Sequence, residues 1–155
     1  KRQCKNMPIQ YTYNTPFSIK NESGYSKWLA KVIESEQCVV GEIVYAFFND
    51  KELKDLNVKF LNHDYFTDVI SFDESYDGFL KGNIAISIDR VKENASEFSC
   101  SFDDELRRVI IHGVLHFMGF NDKTDDEKKK ICLLYYNQIN LLGRNNSNKK
   151  DCKKL

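Results

Sequence analysis

No apolar run in the sequence approaches the roughly 18–20 residues that a bilayer-spanning helix needs, so a membrane role is not expected. No Cys-x-x-Cys pair occurs, and the five cysteines are scattered at positions 4, 38, 100, 132 and 152. An odd count at wide spacing argues against a disulfide framework and against a cysteine zinc site. Reduced thiols, some filling the core, are the expectation. Neither sign of charge is in excess: 23 Lys and Arg balance 23 Asp and Glu, whereas nucleic-acid binders are more often basic. Internal repeats and long low-complexity tracts are absent. The basic opening KRQCKNMPIQ has no apolar stretch behind it, so no secretory signal is expected and a cytoplasmic location is. Histidine is scarce, with three in 155 residues.

What is present suits a folded chain. Hydrophobic residues make up 41% and charged residues 30%, enough to bury a core. The length suits one domain, expected over 1–143, followed by a polar tail over 144–155. The alternation around Ile9, Tyr11 and Tyr13 predicts a strand within 8–19, interrupted by Pro16. Tyr25, Trp28, Leu29, Val32 and Ile33 recur at helical spacing, so 21–37 reads as an amphipathic helix. β-Branched and aromatic residues over 39–50 predict a strand closing in an Asn49-Asp50 turn.

Leu53, Leu56, Phe60 and Leu61 predict a short helix over 51–62 with these residues on its apolar face. Segments 67–72 and 82–89 read as an antiparallel pair of strands joined by the polar loop DESYDGFLK, and 89–98 as helix-like. A long apolar helix opens at Phe102-Asp103-Asp104-Glu105, its acidic residues matched to the positive end of the helix dipole, and ends at Gly119. A last helix follows over 125–142. The fold class expected is α+β: a small mixed β-sheet with about five packed helices. Aromatic content is high at 13%, but most rings fall at core-facing periods, so no base-stacking platform is expected.

Two of the three histidines, His112 and His116, stand four apart on the long helix, on one face and within reach of a single ion. Two imidazoles hold a divalent metal weakly, so a third ligand is needed. Gly119 can reverse the chain and swing Asp122 back over the same face. The resulting N2O set suits Zn2+ and also other divalent first-row metals. The spacing is that of the zinc proteases, yet Gly113 occupies the place of their glutamate base. A glycine there is expected to leave room beside the metal for a bulky substrate group.

The stretch HGVLHFMGFND resembles the H-G-x-L-H-x-x-G-Y-D-H signature of the YbeY endoribonucleases, bacterial and organellar factors of ribosomal RNA maturation. FLNHDYFTDVISF is similar to the L-N-…-T-D-V-L-S-F stretch of that family, and GNIAISIDRVKENA to its G-D-I-x-I-S segment. The run DELRRVIIHG matches the approach to the first histidine. In family order these cover roughly residues 50–135. The resemblance implies a metal helix like that of the zincins, one bound ion, and hydrolysis of phosphodiester bonds in single-stranded RNA with a metal-bound water. His112, His116 and Asp122 are then both metal ligands and catalytic residues. It also implies ribosomal RNA and the small ribosomal subunit as partners, with no role for DNA.

Three positions depart from the family pattern. Asp122 stands where the family has a histidine, which adds a negative charge and makes a bound water slightly less acidic. The family's arginine-bearing link is replaced by His63-Asp64-Tyr65-Phe66, leaving His63 as a candidate phosphate contact. Asn83 replaces an acidic residue. Thr67 and Asp68 are candidates for ordering the metal helix or for hydrogen-bonding a ligand histidine. Arg107 and Arg108 are candidates for phosphate contact against the more usual role in surface ion pairs. Lys123, Lys128, Lys129 and Lys130, interleaved with acids, read as a solvated helix face. The alternatives to a nuclease are a metallopeptidase built on H-x-x-x-H-x-x-x-x-x-D, for which Glu105, about two turns before His112, lies too far away to serve as base, and a non-catalytic ribosome-associated metal protein.

Overall fold

The alternation read from 39–50 is realised in the strand that organises the sheet. The computed structural model describes residues 8–140, except for the side chains of 136 and 138–140. In chain order the elements are β1 (Ile9–Tyr13), α1 (Glu22–Ser35), β2 (Val39–Phe48), α2 (Asp50–Leu61), β3 (Val69–Asp73), β4 (Phe79–Ser87), α3 (Ile88–Glu97), α4 (Phe102–Phe117) and α5 (Asp125–Asn140). Five helices accompany a four-stranded sheet of order β1-β2-β4-β3, so the α+β expectation holds among the described residues. β1, β2 and β4 run parallel, and β3 is antiparallel to β4, which makes the sheet mixed.

Each of the first four helices starts on a side chain that accepts an otherwise unpaired backbone N–H. Asn21 accepts from Gly24, Asn49 from Glu52, Ser87 from Arg90 and Ser101 from Asp104. The sheet buries both faces, because alternate residues of β4 point to opposite sides. Ile84 and Ile86 join the main core with Ile110, Ile111, Val114 and Leu115 of α4 and with Leu29 and Val32 of α1. Ala85 joins Ile70 and Leu53 in a smaller cluster under α2. Helix α4 is also tied to the sheet by a buried hydrogen bond in which the Tyr45 hydroxyl donates to the Ile110 carbonyl at 2.7 Å.

Three expectations change. β4 begins at Phe79, not 82, because Asp77 and Gly78 adopt positive φ (48° and 77°) in a tight turn bridged by Tyr76 and Phe79. The residues assigned to a loop are thereby drawn into pairing with Val39 and Val40 of β2. On α2 the apolar face is narrower than its periodicity suggests: Leu53 is buried, but Phe60 and Leu61 are exposed. Cys132 is disulfide-bonded, so the reduced-thiol expectation fails for it. The proposed boundary at 143 and the tail over 144–155 lie outside the described residues.

Candidate metal centre

Helix α4 ends one residue after its second histidine, and the way it ends decides where Asp122 goes. Gly119 takes φ +90°, a left-handed conformation that a side chain would strain. Its N–H reaches back to the His116 carbonyl at 3.0 Å, and the Phe120 N–H to that of Leu115 at 3.1 Å. These are the two bonds of a Schellman cap, which turns the chain sharply off the helix axis. Phe120 then packs against the core, and Asp122 comes back over the face that carries the histidines.

The result is a tight triad. The Nε2 atoms of His112 and His116 stand 2.8 Å apart. Asp122 Oδ2 lies 3.3 Å from the first and 3.4 Å from the second. One ligand atom from each residue falls within 4.8 Å of the others, the sole such His/Cys/Asp/Glu group among the described residues. His112 is largely buried. Its Nδ1 makes no hydrogen bond, so all of the ring's polar contacts lie on the Nε2 side, towards His116 and Asp122. Burial, then the neighbouring His116 and the Arg108 charge, push its pKa down from 6.5 to about 4, while Asp122 and Asp68 pull the other way. At neutral pH the ring is uncharged, the form that ligates metals.

This donor set fits a divalent ion. Two ligands about 2.0–2.1 Å from an ion at the tetrahedral angle are about 3.3–3.4 Å apart. The two histidine–carboxylate separations match that value, and the histidine pair is tighter. Two nitrogens and one oxygen make a borderline set, suited to zinc and accepting other first-row ions.

Gly113 has a different reason from the one its position suggested. A Cβ there would sit 2.7 Å from Ile84 Cδ1 and 3.0 Å from Cγ2. The glycine lets α4 approach β4, and the space is filled by the sheet rather than kept open for substrate. Glu105, the nearest acid upstream on the helix, is 2% exposed and bound to the guanidinium of Arg108.

The remaining candidates sort into two places. Arg108 also meets Asp68 at 3.3 Å, so Asp68 grips α4 one turn before His112 and makes no hydrogen bond to either histidine. Thr67 Oγ1 donates to the Val69 carbonyl at 3.3 Å, a contact local to the start of β3. Arg107 pairs with Asp104 at 3.2 Å along its own helix. His63 lies in the loop between α2 and β3, exposed and stacked on Tyr65 with ring centroids 5.2 Å apart. The basic run on α5 behaves as a helix surface: Glu127 accepts from the Lys123 and Thr124 N–H groups, and Lys130 lies 5.2 Å from the centre of the Phe120 ring.

The sequence pattern of the family described as Endoribonuclease YbeY matches residues 10–141. The chain belongs to the YbeY family. The Endoribonuclease YbeY of Flavobacterium johnsoniae is 42% identical to it over 138 residues, spanning 84% of this chain and 99% of that one. The protein of the same name from Flavobacterium psychrophilum is 48% identical over 120 residues, spanning 77% and 86%. Among solved structures, the solution structure of a Thermotoga maritima protein superposes with a TM-score of 0.65 at 26% identity, covering 92% of this chain and 95% of the other. The matched span contains every element from α1 to α5, and with them the His112–His116–Asp122 triad of this YbeY chain. No helix among the described residues is long and apolar enough to cross a membrane.

Proposed function

We propose that this chain is a metal-dependent endoribonuclease that hydrolyses phosphodiester bonds in single-stranded RNA during ribosomal RNA maturation, in the cytoplasm. His112, His116 and Asp122 hold one ion, with zinc the best match to the donor set. Ribosomal RNA on the small ribosomal subunit is the natural substrate. Membership of the YbeY family supports the reaction class. The observation that carries the metal assignment is the convergence of two Nε2 atoms and one carboxylate oxygen at 2.8, 3.3 and 3.4 Å.

An ion bound there supplies Lewis acidity towards a phosphoryl oxygen and acidifies water. The chain's own residues do the positioning. The Schellman cap at Gly119 fixes the approach of Asp122, and burial keeps His112 neutral. Asp68 and Glu105 clamp Arg108, which fixes the helix turn that leads into the site. The peptidase reading lacks a base: position 113 faces Ile84, and Glu105 is engaged by Arg108. The reading of a closed structural metal is disfavoured because three protein ligands, the set found among the described residues, leave a fourth position open, as catalytic zinc sites do.

The test is cleavage. Incubation of purified protein with a single-stranded oligoribonucleotide and with casein, each with and without chelator, is expected to give chelator-sensitive cutting of the RNA alone. Mapping of ribosomal RNA ends in cells carrying His112→Ala is expected to reveal unprocessed ends. Normal ends in those cells would contradict the proposal.

A further inference from the structure

Strand β3 ends the sheet, and the pairing fixes which of its backbone groups are left over. The Ser87 N–H donates to the Asp68 carbonyl at 2.9 Å, and the Glu74 N–H to the Lys81 carbonyl at 2.8 Å. In an antiparallel ladder, successive residues alternate between bonding the partner strand and facing away from it. Ile70 and Phe72 are in step with Asp68 and Glu74, so they bond to β4, opposite Ala85 and Asn83. Val69, Ser71 and Asp73 therefore turn their N–H and C=O groups to the open edge. The Val69 carbonyl is taken by the Thr67 hydroxyl at 3.3 Å. The N–H and C=O of Ser71, at the centre of the strand, have no partner among the described residues. Nothing blunts this edge: VISFD holds neither proline nor lysine, and its pairing with β4 has no bulge.

The same edge borders the metal helix. Val69 packs in the main core with α4, whereas Ile70 lies in the cluster under α2, so Ser71 shares the α4 face with Val69. Ser71 stands opposite Ile84, one strand spacing of about 4.8 Å further out. Ile84 is the residue that Gly113 meets, with Cδ1 2.7 Å from where a Cβ would stand. Further along, Gly82, opposite Asp73, meets the Phe117 ring in the same way at 2.8 Å. Arg108 reaches Asp68, at the head of β3, at 3.3 Å. His112 and His116 follow Arg108 at one and two turns along that flank. The triad therefore lies on the β3 side of α4, with Ser71 level with Gly113 and His112.

We propose that the open β3 edge at Ser71 hydrogen-bonds the Watson–Crick edge of an unpaired base next to the phosphodiester held at the metal centre. The assignment rests on the nuclease reading above and names the contact that selects single strands. A substrate strand whose phosphodiester reaches the ion has to pass this edge, whereas a protein strand paired with β3 would cover the ion. One N–H beside one C=O matches the acceptor and donor of a base edge, such as O4 and N3–H of uracil. A phosphate offers acceptors only, and the Ser71 carbonyl and the exposed Asp73 carboxylate both repel it. In a duplex the same base edge is already paired, so a single strand alone fits.

Initial rates of the zinc-loaded full chain on a single-stranded oligouridylate test this. Proline at an outward-facing edge position removes an N–H without removing a ladder bond. Ser71→Pro is expected to raise KM about three- to tenfold, the effect of one hydrogen bond, and to leave kcat within about twofold. With an oligomer of 3-methyluridylate, whose methyl group blocks the base edge, KM of the native chain is expected to rise at least as much, and Ser71→Pro to raise it no further. Amide hydrogen exchange on the native chain gives a second readout. Oligouridylate in large excess is expected to slow exchange at Ser71 severalfold, and a duplex of the same length to leave it unchanged. If Ser71→Pro does not fold, the methylated oligomer and the exchange measurement decide. An unchanged KM in folded Ser71→Pro, an equal KM for the methylated oligomer, or a Ser71 amide that RNA does not protect overturns the proposal, while cutting of RNA by the native chain keeps the nuclease reading. Protection that grows with protein concentration without RNA makes the edge a contact between copies and likewise overturns it. If the native chain does not cut single-stranded RNA, both readings fall.

Discussion

Two successive turns of helix α4 treat charge in opposite ways. In the earlier turn Arg108 is gripped by Glu105 and Asp68, a cation between two anions, largely buried. One turn later His112 and His116 face each other and Asp122: two imidazole rings and one carboxylate converging on the same point. The first arrangement is one that a fold uses to fix an element. The second is one that a divalent cation neutralises. The difference separates a structural polar cluster from a proposed metal site, although both pair residues three to four apart on α4 with one carboxylate from outside it.

Breaking the later turn has the largest expected effect. Replacing any of His112, His116 or Asp122 by alanine should lower RNA cleavage by more than about 100-fold, since loss of outer partners alone costs metal sites about 10–100-fold. Initial cleavage rates of a single-stranded substrate check this. Breaking the earlier turn should act on stability instead. Arg108→Met leaves the buried Glu105 without its guanidinium and is expected to destabilise by about 3 kcal/mol, read from urea unfolding. If that variant stays folded and loses no stability, the two turns are not different in kind.

Smaller effects sharpen the contrast. Gly113→Ala adds a methyl against Ile84, expected to destabilise by about 1 kcal/mol net, once about 1–3 kcal/mol of overpacking is set against the better helix propensity of alanine. Pairing it with Ile84→Val should recover most of the loss, whereas a substrate-pocket role for the glycine would leave the double variant as poor an enzyme as the single. The smallest effect is on pH. Because His112 has a folded pKa of about 4, below its ordinary 6.5, it favours the metal-free fold fully only above about pH 6.5. That contribution shrinks as pH falls towards 4. Denaturation of chelated protein between pH 7 and 4 should show a decline that His112→Gln flattens.

Much of this was open to sequence reading because the signals were local. Helical period, an acidic first turn and a glycine three residues past His116 predict α4, its end and the return of Asp122 without knowledge of any distant residue. What stayed hidden depends on partners far apart in the chain. The role of Gly113 needs Ile84, the role of Arg108 needs Asp68, and the exposure of Phe60 depends on how little of α2 the sheet covers. The parallel pairing of β1, β2 and β4 is likewise non-local. The start of β4 was missed for a different reason: the Asp77-Gly78 pair is a strong hairpin signal, but the polar residues around it read as a longer loop.

The central claim, that His112, His116 and Asp122 together hold one ion, is tested most directly by measuring zinc bound per chain in the native protein and in Asp122→Ala. One equivalent in the native chain and a loss of tight binding in the variant is the predicted result. Equal zinc in both, or none in the native chain, would contradict it.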